Sequence, residues 1–309
     1  MPVTRRLALA AMTLGLAGCA TSPVVNGRPA VAPTPPEPEP PVQDPLVAAA
    51  ASAVTALRAT LGAVAAPDFA AGPVWIEAAQ QQCEAHLSRL MVPDPLSAEP
   101  QDQFPPLSTP PTAATLDDSS LGAQVDATTA ALNAAGAAQD GSDLRLLLAS
   151  AATATLALKR PVAAPIAGEA APRRMQPTTI AASAPIALGH AWALIYGYDV
   201  GIGRLPRKDP LRSLGTDRLS AVKRRRNELR GLLTGEPPAQ PAAFELPTAM
   251  NTVESIREGW AVLEQNLLNG YARLVSADSN PIWRQRMLDQ VGAVQALGAP
   301  LPHWPGWVA

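Results

Sequence analysis

NTVESIREGWAVLEQNLLNGYARL, residues 251–274, decides the fold of this chain. Val253, Ile256, Trp260, Leu263, Leu267 and Leu274 recur at three- and four-residue steps, which on a helix makes one apolar stripe. Asn251-Thr-Val-Glu254 ahead of them has the pattern of a capping box. The same period appears on both sides of this segment. A following helix is expected from Asn280-Pro281, a cap residue with proline at the first helical position, carrying Ile282, Trp283, Met287, Val291, Val294 and Leu297. Upstream, Thr216 is the expected cap of a helix with Leu219, Val222, Leu229, Leu232 and Leu233. A first helix near Ser183 to Gly203 carries Leu188, Trp192, Ile195 and Ile202.

The first half repeats the plan. Stripes run through Leu46, Ala50, Val54, Leu57, Leu61 and Val64, and through Ile76, Ala79, Cys83, Leu87 and Leu90. A third holds Leu121, Val125, Thr128, Leu132 and Ala135. A fourth follows the expected cap Ser142, with Leu144, Leu147, Leu148, Ala151, Thr155 and Leu158. Pro161, Pro165, Gly168 and Pro172 then interrupt helical structure. In each half a Pro-rich loop follows the second helix and reaches a phenylalanine, Phe104 or Phe244, before the third. Such a long connection is what a crossover inside a four-helix unit needs. The reading is all-α, two tandem antiparallel four-helix bundles, residues 46–160 and 178–309, joined by a linker over 161–177.

Composition narrows the function. The 309 residues are 16% charged and 4% aromatic with net charge -2, which excludes an ordinary nucleic-acid binder, since that needs a basic excess and stacking platforms. The front of the chain supplies an address. Arg5 and Arg6 precede the apolar run Leu7 to Leu16, and Leu16-Ala17-Gly18-Cys19 resembles a bacterial lipobox. The run is too short for a hydrocarbon core of ~30 Å, which takes roughly 20 residues. Leu7-Ala8-Leu9 fits a twin-arginine signal poorly, so the arginines read as an ordinary positive region. The lipobox resemblance implies a signal peptide over 1–18, a diacylglyceryl group on Cys19 and a place on the extracytoplasmic face of the cell membrane. From residue 19 to 45 the chain is a disordered or polyproline tether around Pro33 to Pro41. No other stretch reads as long and apolar enough to span, which leaves lipid as the membrane attachment. Cys83 is then the one remaining thiol, expected to be a buried core residue with His86 at the edge of its stripe.

Ile195-Tyr196-Gly197-Tyr198, Arg225-Arg226-Asn227-Glu228-Leu229, Leu263-Glu264 with Tyr271, and Trp304-Pro305-Gly306 follow one another in an order that resembles an uncharacterised family of ferritin-like domains. That family occurs in exported proteins of high-GC Gram-positive bacteria, and the likeness covers about residues 180–306. It implies a fold and an envelope location, and no reaction, because the family's function is unassigned. Ferritin-like metal sites use two glutamates and two Glu-x-x-His pairs facing inward. Here the residues three before His86, His190 and His303 are Cys83, Ala187 and Pro300. Ala191-Trp192 and Val222 stand where the family tends to have ligands, leaving only Glu264. No metal, cofactor or catalytic residue is therefore expected.

Two candidate sites remain. His190, Trp192, Tyr196, Trp260 and Glu264 are placed to line a pocket in the second bundle. Asp199 could pair with Glu264 for acid–base work if both face inward. Arg218, Lys223, Arg224, Arg225, Arg226 and Arg230 form the densest charge, a solvated outer face that could also rest on anionic lipid. The leading expectation is a membrane-anchored, non-catalytic binding or scaffolding module, with an envelope protein or anionic lipid as partner. The alternatives are a divergent metal or cofactor binder using His190, Tyr196 and Glu264, and a carrier of a small apolar ligand beside Trp192 and Trp260.

Overall fold

In a computed structural model, the described residues are 41–63, 71–105, 118–235 and 238–308. The expected signal peptide, Cys19, nearly all of the expected tether and Val64 lie outside them. The described residues are all-α: eight helices, no strand, and a single parallel bridge between Ile166 and Pro302. The helices are α1 (Pro45–Gly62), α2 (Gly72–Leu90), α3 (Asp118–Ala137), α4 (Ser142–Ala157), α5 (Ile180–Arg204), α6 (Pro210–Arg230), α7 (Val253–Ala277) and α8 (Pro281–Ala296).

The stripes face inward as their period requires. Ile256, Trp260, Leu263, Leu267 and Leu274 of α7 are buried, as are Val54 and Leu57 of α1 and Leu121, Val125 and Leu132 of α3. Leu46 departs from this and is exposed. Several helix starts differ from expectation, each for a local reason. Helix α6 begins well before Thr216, because the Asp209 carboxylate accepts from the Leu211 amide at 2.8 Å and Pro210 occupies the first turn. Thr216 is then interior and donates to the Arg212 carbonyl. Ser142 is the first residue of α4, with Gly141 as its cap. The capping box of α7 is formed by Thr252 and Ser255, one residue beyond the expected pair, whereas Asn280 caps α8 as read.

One pairing pattern occurs twice: α1 packs on α2 and α3, and α3 on α4; α5 packs on α6 and α7, and α7 on α8. Helix α4 also packs on α7 and α8, and residues 41–309 group as one compact unit. Arg145 of α4 is central to this joint. Its guanidinium donates to the carbonyls of Val275 and Ser276 at the end of α7 and to those of Gln139 and Asp140 after α3. It thereby satisfies helix-end carbonyls that have no partner of their own.

The 161–177 segment is stitched on both sides. Trp75 Nε1 donates to the Ala163 carbonyl at 3.2 Å, and Ile166 exchanges backbone bonds with Leu301 and His303 of the C-terminal tail. The tail in turn runs inward: Ser150 donates to the Pro305 carbonyl at 2.7 Å, and Trp304 packs its ring on His86. Gly306 sits at φ +91°, where a side chain would be strained.

Among the described residues, Pro45–Gly62 and Ile180–Arg204 are long and apolar enough to cross a membrane by length and composition, contrary to the expectation that no stretch beyond residues 7–16 would be. Core helices of soluble proteins pass the same test, and α1 and α5 each pack against two other helices here.

Candidate functional site

Trp260, Glu264 and Tyr271 fall on one face of α7, and that face meets α5 where α5 carries glycines. The Trp260 indole fills the space left by Gly201 and Gly215: a Cβ on either would stand 2.6 or 2.5 Å from its ring. Its Nε1 donates to the Gly197 carbonyl at 2.8 Å, and its ring lies 4.6 Å from that of Tyr198. Trp260 is thus a packed keystone between α5, α6 and α7, with the space around it occupied by protein.

One turn further along α7, Glu264 is fully buried. Tyr198 Oη donates to its Oε1 at 2.5 Å, Arg218 Nε and Nη2 donate to Oε1 and Oε2 at 2.9 and 2.8 Å, and Gln290 Nε2 donates to Oε2. Four helices contribute one side chain each to this tie. A two-pronged guanidinium contact with a carboxylate is among the strongest charge-assisted pairs. Burial opposes the Arg218 charge, yet the carboxylate and its hydrogen bonds more than offset that and raise its pKa. Burial and the neighbouring Glu264 charge both push the Tyr198 hydroxyl well above its ordinary value, so it stays a proton donor.

The remaining expected pocket residues are not gathered at this tie. Trp192 is buried, while Tyr196 is half-buried and sets its ring 5.9 Å from that of Phe244. His190 is half-buried, and burial followed by the nearby Arg273 charge lowers its pKa. Asp199 is exposed, so it does not pair with Glu264. Among the described residues no group of three His, Cys, Asp or Glu side chains is arranged to hold a metal.

In the first half, Cys83 is buried, and burial pushes its thiol up to about 12, which keeps it protonated and unreactive. His86 is fully buried rather than at the edge of its stripe. Its Nε2 donates to the His303 carbonyl at 2.9 Å, and burial lowers its pKa to about 4. His86 Nδ1 and both amide atoms of Gln82 are buried without partners.

The basic stretch of α6 divides. Arg218 is turned inward onto Glu264, and Arg225 pairs with Glu228 and with Asp289 of α8. Lys223, Arg224 and Arg230 are exposed, and Arg226 is half-buried. Sequence reasoning missed Tyr198, Gln290 and Arg286, the last of which bridges Glu228 and Asp289. Tyr198 and Gln290 meet Glu264 from other helices, where no local spacing marks them; for Arg286 only the three-residue step to Asp289 is a local signal, and its contact with Glu228 of α6 is not.

Several concave regions open at the surface of the described residues, one of them, of about 480 Å³, between the 93–96 loop, the start of α4 and Arg174. A groove of about 360 Å³ runs between α7, the 166–169 segment and the tail, with Val262, Leu301, Pro302 and Trp307 in its walls. A polar cavity of about 130 Å³ lies between α6, α7 and α8. Fold and site together define an all-α domain whose second half is built around a closed Glu–Arg–Tyr–Gln tie. In comparisons with protein-family models, curated proteins and solved structures, nothing matches this chain.

Proposed function

We propose that this chain is an envelope lipoprotein, anchored through a diacylglyceryl group on Cys19, whose helical domain is a non-catalytic binding or scaffolding module. The observation that carries the non-catalytic part is the saturation of Glu264: both oxygens are filled by Arg218, Tyr198 and Gln290. A cation or substrate at that carboxylate would have to displace a bidentate arginine. Buried groups of this kind act as structure, and the concave regions available to a partner lie at the surface. The repeated pairing of α1–α4 and α5–α8 supports a tandem arrangement of two ferritin-like four-helix units, with the second resembling the exported domain family. The anchor rests on Leu16-Ala17-Gly18-Cys19 and the apolar run before it. Two acyl chains on one cysteine hold a protein durably where one would be marginal.

Membrane fractionation of producing cells tests this, with native mass spectrometry of the extracted chain. Wild type belongs in the membrane fraction with the mass of the chain from Cys19 plus its lipid and nothing further at Glu264. Cys19→Ala should appear in the soluble fraction or accumulate unprocessed. Unchanged membrane retention of the variant would remove the anchor.

A further inference from the structure

The cavity between α6, α7 and α8 is lined by four arginines, Arg218, Arg224, Arg225 and Arg286, and by the Tyr271 ring. Two carboxylates, Glu228 and Asp289, share its wall. They are arranged as holders of the arginines. Arg225 reaches Glu228 at 3.0 Å and Asp289 at 3.2 Å, while Arg286 reaches Glu228 at 3.2 Å and Asp289 at 3.0 Å. Each guanidinium is thus fixed from two directions before any ligand arrives, which lowers the ordering cost of binding. With Glu264 set against Arg218, the arginines still outnumber the carboxylates by one. Arg224, exposed at the mouth, makes no side-chain ion pair or hydrogen bond with any described residue.

A second feature is independent of this charge. Tyr271 is 2% exposed and its hydroxyl has no hydrogen-bond partner among the described residues. Tyr271 lines the same cavity as Arg225 and Arg286, whose charges act against the upward push that burial gives its hydroxyl. An unpartnered buried hydroxyl is destabilising unless an acceptor reaches it. Side chains from α6, α7 and α8 line the cavity from three helices, which suits a ligand with acceptors in several directions. A volume of about 130 Å³ admits such an ion and is well below the roughly 300–1,000 Å³ of drug-sized pockets.

We propose that this cavity binds a small tetrahedral oxyanion, a phosphate or phosphate monoester, between Arg225 and Arg286, with Tyr271 donating from the floor and Arg224 closing over the mouth. The inference deepens the binding-module reading by giving that module a ligand class. Two sources share this chemistry in an envelope: free phosphate and the glycerophosphate headgroup of a lipid. Arg218 lies between the cavity and Glu264, so an occupant also stiffens the buried tie.

The test uses the full chain extracted in neutral detergent. Inorganic phosphate is titrated at constant ionic strength against chloride, with binding read by calorimetry and by the unfolding temperature. Glycerol 1-phosphate is titrated in parallel. Wild type should show saturable binding and a rising unfolding temperature. Arg224→Ala should weaken binding at least tenfold, and Tyr271→Phe several-fold. Lys223→Ala, beside the site but outside its lining, should titrate like wild type. Tighter binding of glycerol 1-phosphate assigns the headgroup, and tighter binding of inorganic phosphate assigns the free ion. A phosphate response no larger than that of chloride, or an Arg224→Ala titration identical to wild type, would overturn the site. Either result leaves the Cys19→Ala fractionation untouched, so failure of the site and failure of the tethered-module reading are distinguishable.

Discussion

The two halves solve the problem of buried polarity in opposite ways. In α1–α4 the polar side chains that enter the core are neutral, apart from Arg145, and those that donate do so to backbone carbonyls, His86 and Ser150 to the C-terminal tail and two threonines within their own helices. Thr128 and Thr153 donate to the carbonyls of Gln124 and Ala149, one turn back on their own helices. In α5–α8 a full carboxylate is buried at Glu264 and neutralised by residues from three other helices. The same pairing of helices therefore carries two kinds of core. One is alanine- and leucine-rich and tolerant, the other is tied by charge and by a tryptophan seated on glycines. Removing half of a buried ion pair leaves an uncompensated charge, whereas removing a self-satisfied hydroxyl leaves nothing unpaired.

Arg218→Ala is the sharpest way to break that contrast. It strands Glu264 in the core and should cost about 3–5 kcal/mol in urea-induced unfolding. Gln82→Leu, its counterpart in the first half, removes an amide with no partner and should be neutral or stabilising by about 1 kcal/mol. If both variants lose stability alike, the halves do not differ in the way described.

The next effect belongs to the first half and depends on pH. The folded pKa of His86 is about 4, below its ordinary 6.5, so between these values the unfolded chain binds more protons than the folded one. Stability is fully present above pH 6.5 and falls as pH drops toward 4, by on the order of 3 kcal/mol. His190 and His303, whose pKa values are also lowered by burial, act in the same direction. Unfolding midpoints measured from pH 7 to pH 4 should slope downward, and His86→Asn should flatten most of the slope.

A smaller effect separates glycines that look alike in sequence. Gly201→Ala places a methyl against Trp260 and should cost roughly 1–3 kcal/mol by overpacking. Gly189→Ala, on the same helix with nothing within 4 Å of its Cβ, should stabilise by up to about 1 kcal/mol through helix propensity. Thermal unfolding of the two variants side by side decides whether the glycine shelf under Trp260 is tight.

How far the site could be read varied residue by residue. Trp260 and Glu264 were legible as candidates because they lie on the face of a strongly periodic helix. Their role was not, since Tyr198, Arg218 and Gln290 approach from helices far away in the chain. Arg218 illustrates the difficulty. It lies on the same helix as the run Lys223 to Arg226, so composition places it with them on an outer face, yet its position on α6 aims it at Glu264. The start of α6 was misplaced for a related reason. Thr216 and Asp209 both cap well, and only the earlier residue has proline behind it.

The sequence by itself determined that the described chain is helical, where most of its helices lie and which faces they bury, because period and capping are local and the free energy of burying an apolar stripe follows directly from its spacing. It also carries Leu16-Ala17-Gly18-Cys19, which resembles a lipobox, and the Pro-rich segment, covalent patterns that need no fold to be read. Tertiary structure alone decided that Glu264 is a closed tie, that Arg145 and the C-terminal tail stitch the halves into one unit, and that four arginines converge beside Tyr271. Those outcomes depend on which side chains meet across helices, and the pairing of distant charges is fixed by packing distances that no single segment encodes.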